Sequence, residues 1–206
     1  MVLRRSLGLT AVAFAACVAE SAAQASFTPA YNAPYRAFES HEFGGVVSFP
    51  EGDTDFAVEG QYRFGKGRFD IGVKVGIADG VDDTRGVAGV EARFRVVDHT
   101  ERNFPLDGAV VLGVGTYGLD RWVHPSAGIS LGRRVDLDGF EFVAYGQPTV
   151  FLTTASADAS GNDETRLDFG LGLGLDFEIA DAVDLRTSFG VADGPRGVSF
   201  GVVWVR

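Results

Sequence analysis

Apolar and polar positions alternate along most of this chain, most cleanly over Leu167 to Glu178. There Leu167, Phe169, Leu171, Leu173, Leu175 and Phe177 are separated by Asp168, Gly170, Gly172, Gly174, Asp176 and Glu178. Successive side chains of a β-strand point to opposite faces. A period of two therefore predicts a strand with one apolar face and one small or charged face, whereas a helix would spread both sets around its axis. The run is twelve residues long. That exceeds the ~5–6 residues usual in soluble sheets and is close to the ~9–11 that a tilted strand needs to cross a bilayer.

The pattern recurs from Glu42 onward and predicts about ten strands, with eight as the alternative count. They fall near Glu42–Phe49, Asp55–Phe64, Phe69–Ala78, Gly86–Val97, Leu106–Tyr117, Val123–Arg133, Phe140–Thr153, Leu167–Glu178, Val183–Val191 and Gly197–Arg206. The second and third form the clearest hairpin. A two-residue turn at Lys66-Gly67 would pair Phe64 with Phe69, Tyr62 with Ile71 and Val58 with Val75 on the apolar face. On the other face it would pair Arg63 with Asp70 and Glu59 with Lys74.

Glycine is frequent on the non-apolar face, at Gly72, Gly76, Gly170, Gly172, Gly174 and Gly201. Glycine weakens a strand and is wasted on a solvent face, but inside a narrow barrel it leaves room for long side chains. The length of the strands and this glycine face favour an all-β, closed antiparallel up-and-down transmembrane β-barrel over a secreted soluble barrel that binds an apolar ligand. Both would share the alternation.

The ends of the chain add a destination. Arg4 and Arg5, the apolar run Leu7–Val18 and the small-x-small site Ala23-Gln24-Ala25 read as a signal peptide over residues 1–25. Phe14-Ala15-Ala16-Cys17 is the lipoprotein alternative. Removing 25 of the 206 residues leaves 181, a single domain. Residues 26–40, irregular and holding Pro29 and Pro34, are expected as a lead-in on the periplasmic side, and 41–206 as the barrel. Cys17 is the only cysteine, so the processed chain would have no disulfide and no thiolate site. With 28 acidic against 18 basic residues, nucleic acid is excluded as a natural partner.

The last strand places Val198, Phe200, Val202 and Trp204 on one face. An aromatic third from the end, with hydrophobics at alternate positions before it, resembles the end signal of bacterial outer-membrane barrels. The segment Leu171–Phe189, a strand, a short Asp-containing turn and a returning strand, resembles the last hairpins of small OmpA-like barrels. That family ends in Phe; this chain ends in Arg206. The resemblance implies the outer membrane of a Gram-negative-type bacterium, a monomer, and contact with membrane lipids, lipopolysaccharide and the outer-membrane assembly machinery.

In that setting the odd-numbered connections would be extracellular: Pro50–Thr54, Asp79–Arg85, Gly118–Arg121, Ala155–Glu164 and Ala192–Arg196. The inner ones would be Gly65–Arg68, Asp98–Phe104, Arg134–Gly139 and Ile179–Ala182. Tyr62, Tyr117, Trp122 and Trp204 are expected at the membrane interface. Unpaired charge away from water is costly. Glu59, Arg63, Asp70, Lys74, Glu91, Arg93, Arg95, Glu141, Asp168, Asp176 and Arg186 are therefore expected to form an ion-pair network in a plugged or very narrow lumen.

Little in the chain suggests chemistry. Gly113-Val-Gly115-Thr-Tyr-Gly118 matches a dinucleotide-binding spacing, but no helical pattern follows it. His124 and Ser126 fall on one face, and a histidine beside a serine can activate a hydroxyl. The pair resembles that of lipid A deacylase barrels, although Ala127 stands where that family has Asn. Asp138 and Glu141 belong to the opposite, periplasmic end. His41 and His99 are read as isolated, so no metal and no cofactor is expected. The acidic loop around Asp158, Asp163 and Glu164 is read as solvated charge. The expected function is a non-enzymatic outer-membrane protein, structural or a narrow porin-like channel; a lipid hydrolase using His124 and Ser126 is the alternative.

Overall fold

The two-residue period is satisfied by a sheet that closes on itself. A computed structural model describes residues 28–33, 41–80, 83–99, 104–118, 122–155 and 164–206. Ten antiparallel strands follow in chain order: β1 His41–Pro50, β2 Thr54–Lys66, β3 Phe69–Gly80, β4 Thr84–Val97, β5 Asp107–Tyr117, β6 Trp122–Leu137, β7 Phe140–Ala155, β8 Glu164–Ala180, β9 Val183–Ala192 and β10 Gly197–Val205. Each pairs with its neighbours in sequence, and β1 pairs with β10 to complete the barrel. At that seam Glu42 faces Val205 and Pro50 faces Gly197. His41 and Arg206 exchange reciprocal backbone hydrogen bonds of 2.7 Å. All ten expected strands form. The signal-peptide region and residues 156–163 of the acidic loop lie outside the described residues.

Antiparallel neighbours put the odd connections at one end of the barrel, the loop end. The even connections share the other end, the terminal end, with His41 and Arg206.

The β2–β3 hairpin differs from expectation by two residues. Lys66 pairs with Phe69 and the turn is Gly67-Arg68. Phe64 therefore faces Ile71, Tyr62 faces Val73, Val58 faces Ile77 and Gln61 faces Lys74. The reason lies in Gly67, whose φ is 64°. A tight hairpin turn with glycine at its first central position needs a positive φ there alone. The expected turn would have put Lys66 first and forced a bulky residue into that conformation. A shift of two keeps every side chain on its expected face.

The β6–β7 turn is likewise tighter than read. β6 runs on to Leu137, and Asp138 (φ 53°) and Gly139 (φ 89°) make a two-residue turn with both positions left-handed. The Asp-Gly pair is the sequence signal for it. The glycine-spaced segment from Gly113 lies in β5, and the chain resumes as strand β6, not as a helix.

Alternation along each strand yields an apolar exterior and a polar interior. Val75 and Leu167 are 65% and 69% exposed, while Asp70 and Arg93 are 0% and 1% exposed. Replacing Gly67 with alanine should destabilise the barrel by about 1 kcal/mol, the cost of a left-handed Cβ. A lower urea midpoint of refolded protein checks this.

Candidate functional site

Eight of the eleven charged residues expected in the lumen are buried there: Glu59, Arg63, Asp70, Lys74, Glu91, Arg93, Asp176 and Arg186. Six of them, together with Glu42, form two clusters that adjoin where Glu42 of β1 faces Arg63 of β2. On β2–β4, Arg63 bonds both Asp70 and Glu91. Arg93 reaches the same Asp70 through Nε at 3.0 Å and Nη2 at 2.8 Å. On β1, β8 and β9, Arg186 binds Glu42 bidentately at 2.6 and 2.8 Å, and its Nε lies 2.8 Å from Asp176. Fork-to-fork pairing of this kind satisfies both partners at once and is the geometry that tolerates burial.

The other three lie at the rims. Arg95 is 3.6 Å from Asp98 and Glu141 is 3.1 Å from Arg134, both at the terminal end. Asp168 meets Arg166 at 2.6 Å near the loop end. The expected Glu59–Lys74 pair does not form. Glu59 accepts the Thr28 hydroxyl at 2.6 Å, and Lys74 donates to the Ala30 carbonyl at 2.5 Å.

Those contacts involve the described part of the lead-in; residues 34–40 lie outside the described residues. Residues 28–33 run through the interior of the barrel beside both charged clusters, and all six are buried. Five consecutive carbonyls accept hydrogen bonds from lumen side chains on five different strands. Pro29 takes one from Ser188 at 2.6 Å, Ala30 from Lys74, Tyr31 from Tyr145 at 2.9 Å, Asn32 from Ser130 at 3.3 Å and Ala33 from Arg93. Arg186 adds a bond to the Asn32 side chain at 3.1 Å. Thr28 meets Glu59 in the loop-end half of β2, and Ala33 meets Arg93 toward the terminal end of β4, so the segment descends toward β1.

Glycine makes this packing possible. A Cβ on Gly72 would lie 2.8 Å from the Arg63 guanidinium carbon. A Cβ on Gly172 would overlap the Tyr31 ring, and one on Gly174 the Tyr145 ring. The lumen glycines thus seat tyrosines as well as the charged side chains expected of them.

Glu42, Tyr145, Ser130 and Ser188 are lumen residues that the sequence reading did not single out. Glu42 was legible, since it is out of phase with Phe43, Val47 and Phe49. The register of residues 28–33 had no periodic signal to reveal it.

Of the aromatic residues expected at an interface, Tyr62 and Trp204 face outward, 36% and 53% exposed. Tyr62 also bonds His41 at 2.8 Å. Tyr117 faces inward instead. It packs on the buried Ala57, Ala78 and Val87 and bonds Thr54. Its place at the end of β5 suggested an interface, but its phase matches that of lumen-facing Val111. The Trp122 side chain lies outside the described residues.

At the loop end a cavity of about 350 Å³ is lined by Glu51, Thr54, Arg85, Tyr117, His124 and Arg196, among others. His124 and Ser126 are buried, 3% exposed each, as their shared face predicted. The carboxylate on that face is Asp168, which pairs with Thr153 at 3.4 Å; Phe151, in register with Ser126, is also in register with Asp168. At the terminal end His99 is not isolated. Its Nδ1 is 2.8 Å from Asp107, and Asp98, His99 and Asp107 bring their donor atoms within 4.8 Å of one another. That grouping could accept a divalent cation, although exposed acids often cluster without one.

No protein-family model and no curated protein matches the chain.

Arg186→Ala should cost about 3–5 kcal/mol, because it leaves Glu42 and Asp176 buried without their cation. Arg134→Ala, at the exposed rim, should cost about 0–1 kcal/mol. Denaturant midpoints of the two variants, side by side, check the difference.

Proposed function

We propose that this protein is an integral outer-membrane β-barrel, structural or a narrow channel, whose lumen is closed at rest. The observation that carries the reading is the inversion of the barrel. Phe43, Val73, Val75, Ile77, Phe169 and Phe200 are exposed around the exterior, while arginines, glutamates and aspartates are buried within. A soluble barrel that binds an apolar ligand turns its apolar face inward. An exterior of this kind meets acyl chains without cost, and closure leaves no unpaired backbone edge in lipid. The signal-like residues 1–25 and the alternation of β10 support the same destination.

Val75 lies near the middle of β3. In a bilayer, Val75→Arg should destabilise the refolded protein by about 2–4 kcal/mol. On a soluble surface the change should stay within about 0.5 kcal/mol. Unfolding titrations in lipid vesicles, with heat-modifiable gel migration as the marker of the folded barrel, distinguish the two. A neutral Val75→Arg would sink the membrane reading.

A second reading is an enzyme acting on outer-leaflet lipid. It is favoured by the shared inward face of His124, Ser126 and Asp168 beneath a cavity. The structural reading expects an H124A/S126A variant to leave the acyl composition of lipid A unchanged in whole cells. A changed acyl profile would replace that reading with the enzymatic one.

A further inference from the structure

A peptide fills the middle of this lumen, with Phe151 and the β9–β10 loop at Gly194 and Pro195 packed nearer the loop end. The β2–β4 cluster and the β1–β8–β9 cluster adjoin where Glu42 faces Arg63. The rest of the interior beside them is occupied by residues 28–33, which groups from β3, β4 and β9 all reach. The segment is held mainly through its backbone, by side chains that would otherwise face water in a hydrated lumen. Its bulkiest member, Tyr31, rests over Gly172, where the wall has no side chain.

We propose that the barrel is a cation-selective pore held shut by its own N-terminal segment, residues 28–33. The proposal rests on the membrane reading above. Selectivity follows from the charge of the walls. Among the described residues, seven carboxylates are buried against four arginine and lysine side chains. A narrow, low-dielectric passage with an excess of fixed negative charge concentrates cations and repels anions. With the segment seated, Lys74 and Arg93 are committed to its carbonyls and the passage is filled. With the segment displaced, water replaces those carbonyls and the acidic excess lines an open path.

The test is single-channel recording of the processed chain, beginning at Ser26, in a planar phosphatidylcholine bilayer under a KCl gradient. The unaltered protein should be silent. Gly172→Val should open it, because the added side chain takes the space of the Tyr31 ring while the strand gains a better β-former. Discrete steps are expected, with a reversal potential on the K⁺ side. Adding Tyr31→Ala to Gly172→Val removes the clash and should restore silence. Should Gly172→Val fail to fold, S188A/Y145F removes the ties to Pro29 and Tyr31 without touching either ion-pair cluster, and should open the same path. Steps from the unaltered protein, silence from variants that show heat-modifiable migration, or a reversal potential on the Cl⁻ side would each overturn the proposal. Protein that neither inserts nor shows that migration would instead overturn the membrane reading beneath it.

Discussion

A charge withdrawn from water must be met by an opposite charge or by a well-placed dipole, and the interior of this barrel is organised around that requirement. Asp70 is shared by two arginines, and Arg186 by two carboxylates. These pairs cross strand boundaries, so they hold only if the strands keep their register. Register in turn sends the apolar side chains outward. The exterior and the interior are therefore two consequences of one alternation, and the ion pairs fix its phase.

The two adjoining clusters leave part of the interior to other groups. Bases in excess of what their own cluster satisfies find carbonyl oxygens on the threaded segment. Lys74 and Arg93 are the clearest cases. The segment gains in return, since five carbonyls removed from water each receive a donor. Each supplies partners that the other would lack alone.

Much of this was legible in the sequence, and the failures have physical causes. The ten strands were visible because a period of two survives any error of one or two residues at their ends. The lumen residues of β2 to β4 were visible for the same reason, since parity alone selects Arg63, Asp70 and Glu91. Register was harder. It depends on which residue of Lys66-Gly67-Arg68 takes the left-handed position, a local choice that alternation does not encode. The partners of Glu59 and Lys74 were misread because residues 28–33 carry no periodicity. A segment that binds through its backbone leaves almost no trace in its side chains. Asp168 was not matched to His124 because the two are joined only through β7, across the hairpin connection that separates them in sequence.

The seam between β1 and β10 also sets the order of events during folding. It joins the beginning and the end of the barrel, so its closure must wait until all of the intervening strands exist, and the entropic cost of that long loop comes before any contact repays it. The threaded segment lies just ahead of β1 in sequence, with residues 34–40 between them. It travels with the strand that closes last, and the final ladder to zip is also the one that draws residues 28–33 into the interior. Assembly and sealing are in this way a single step in time.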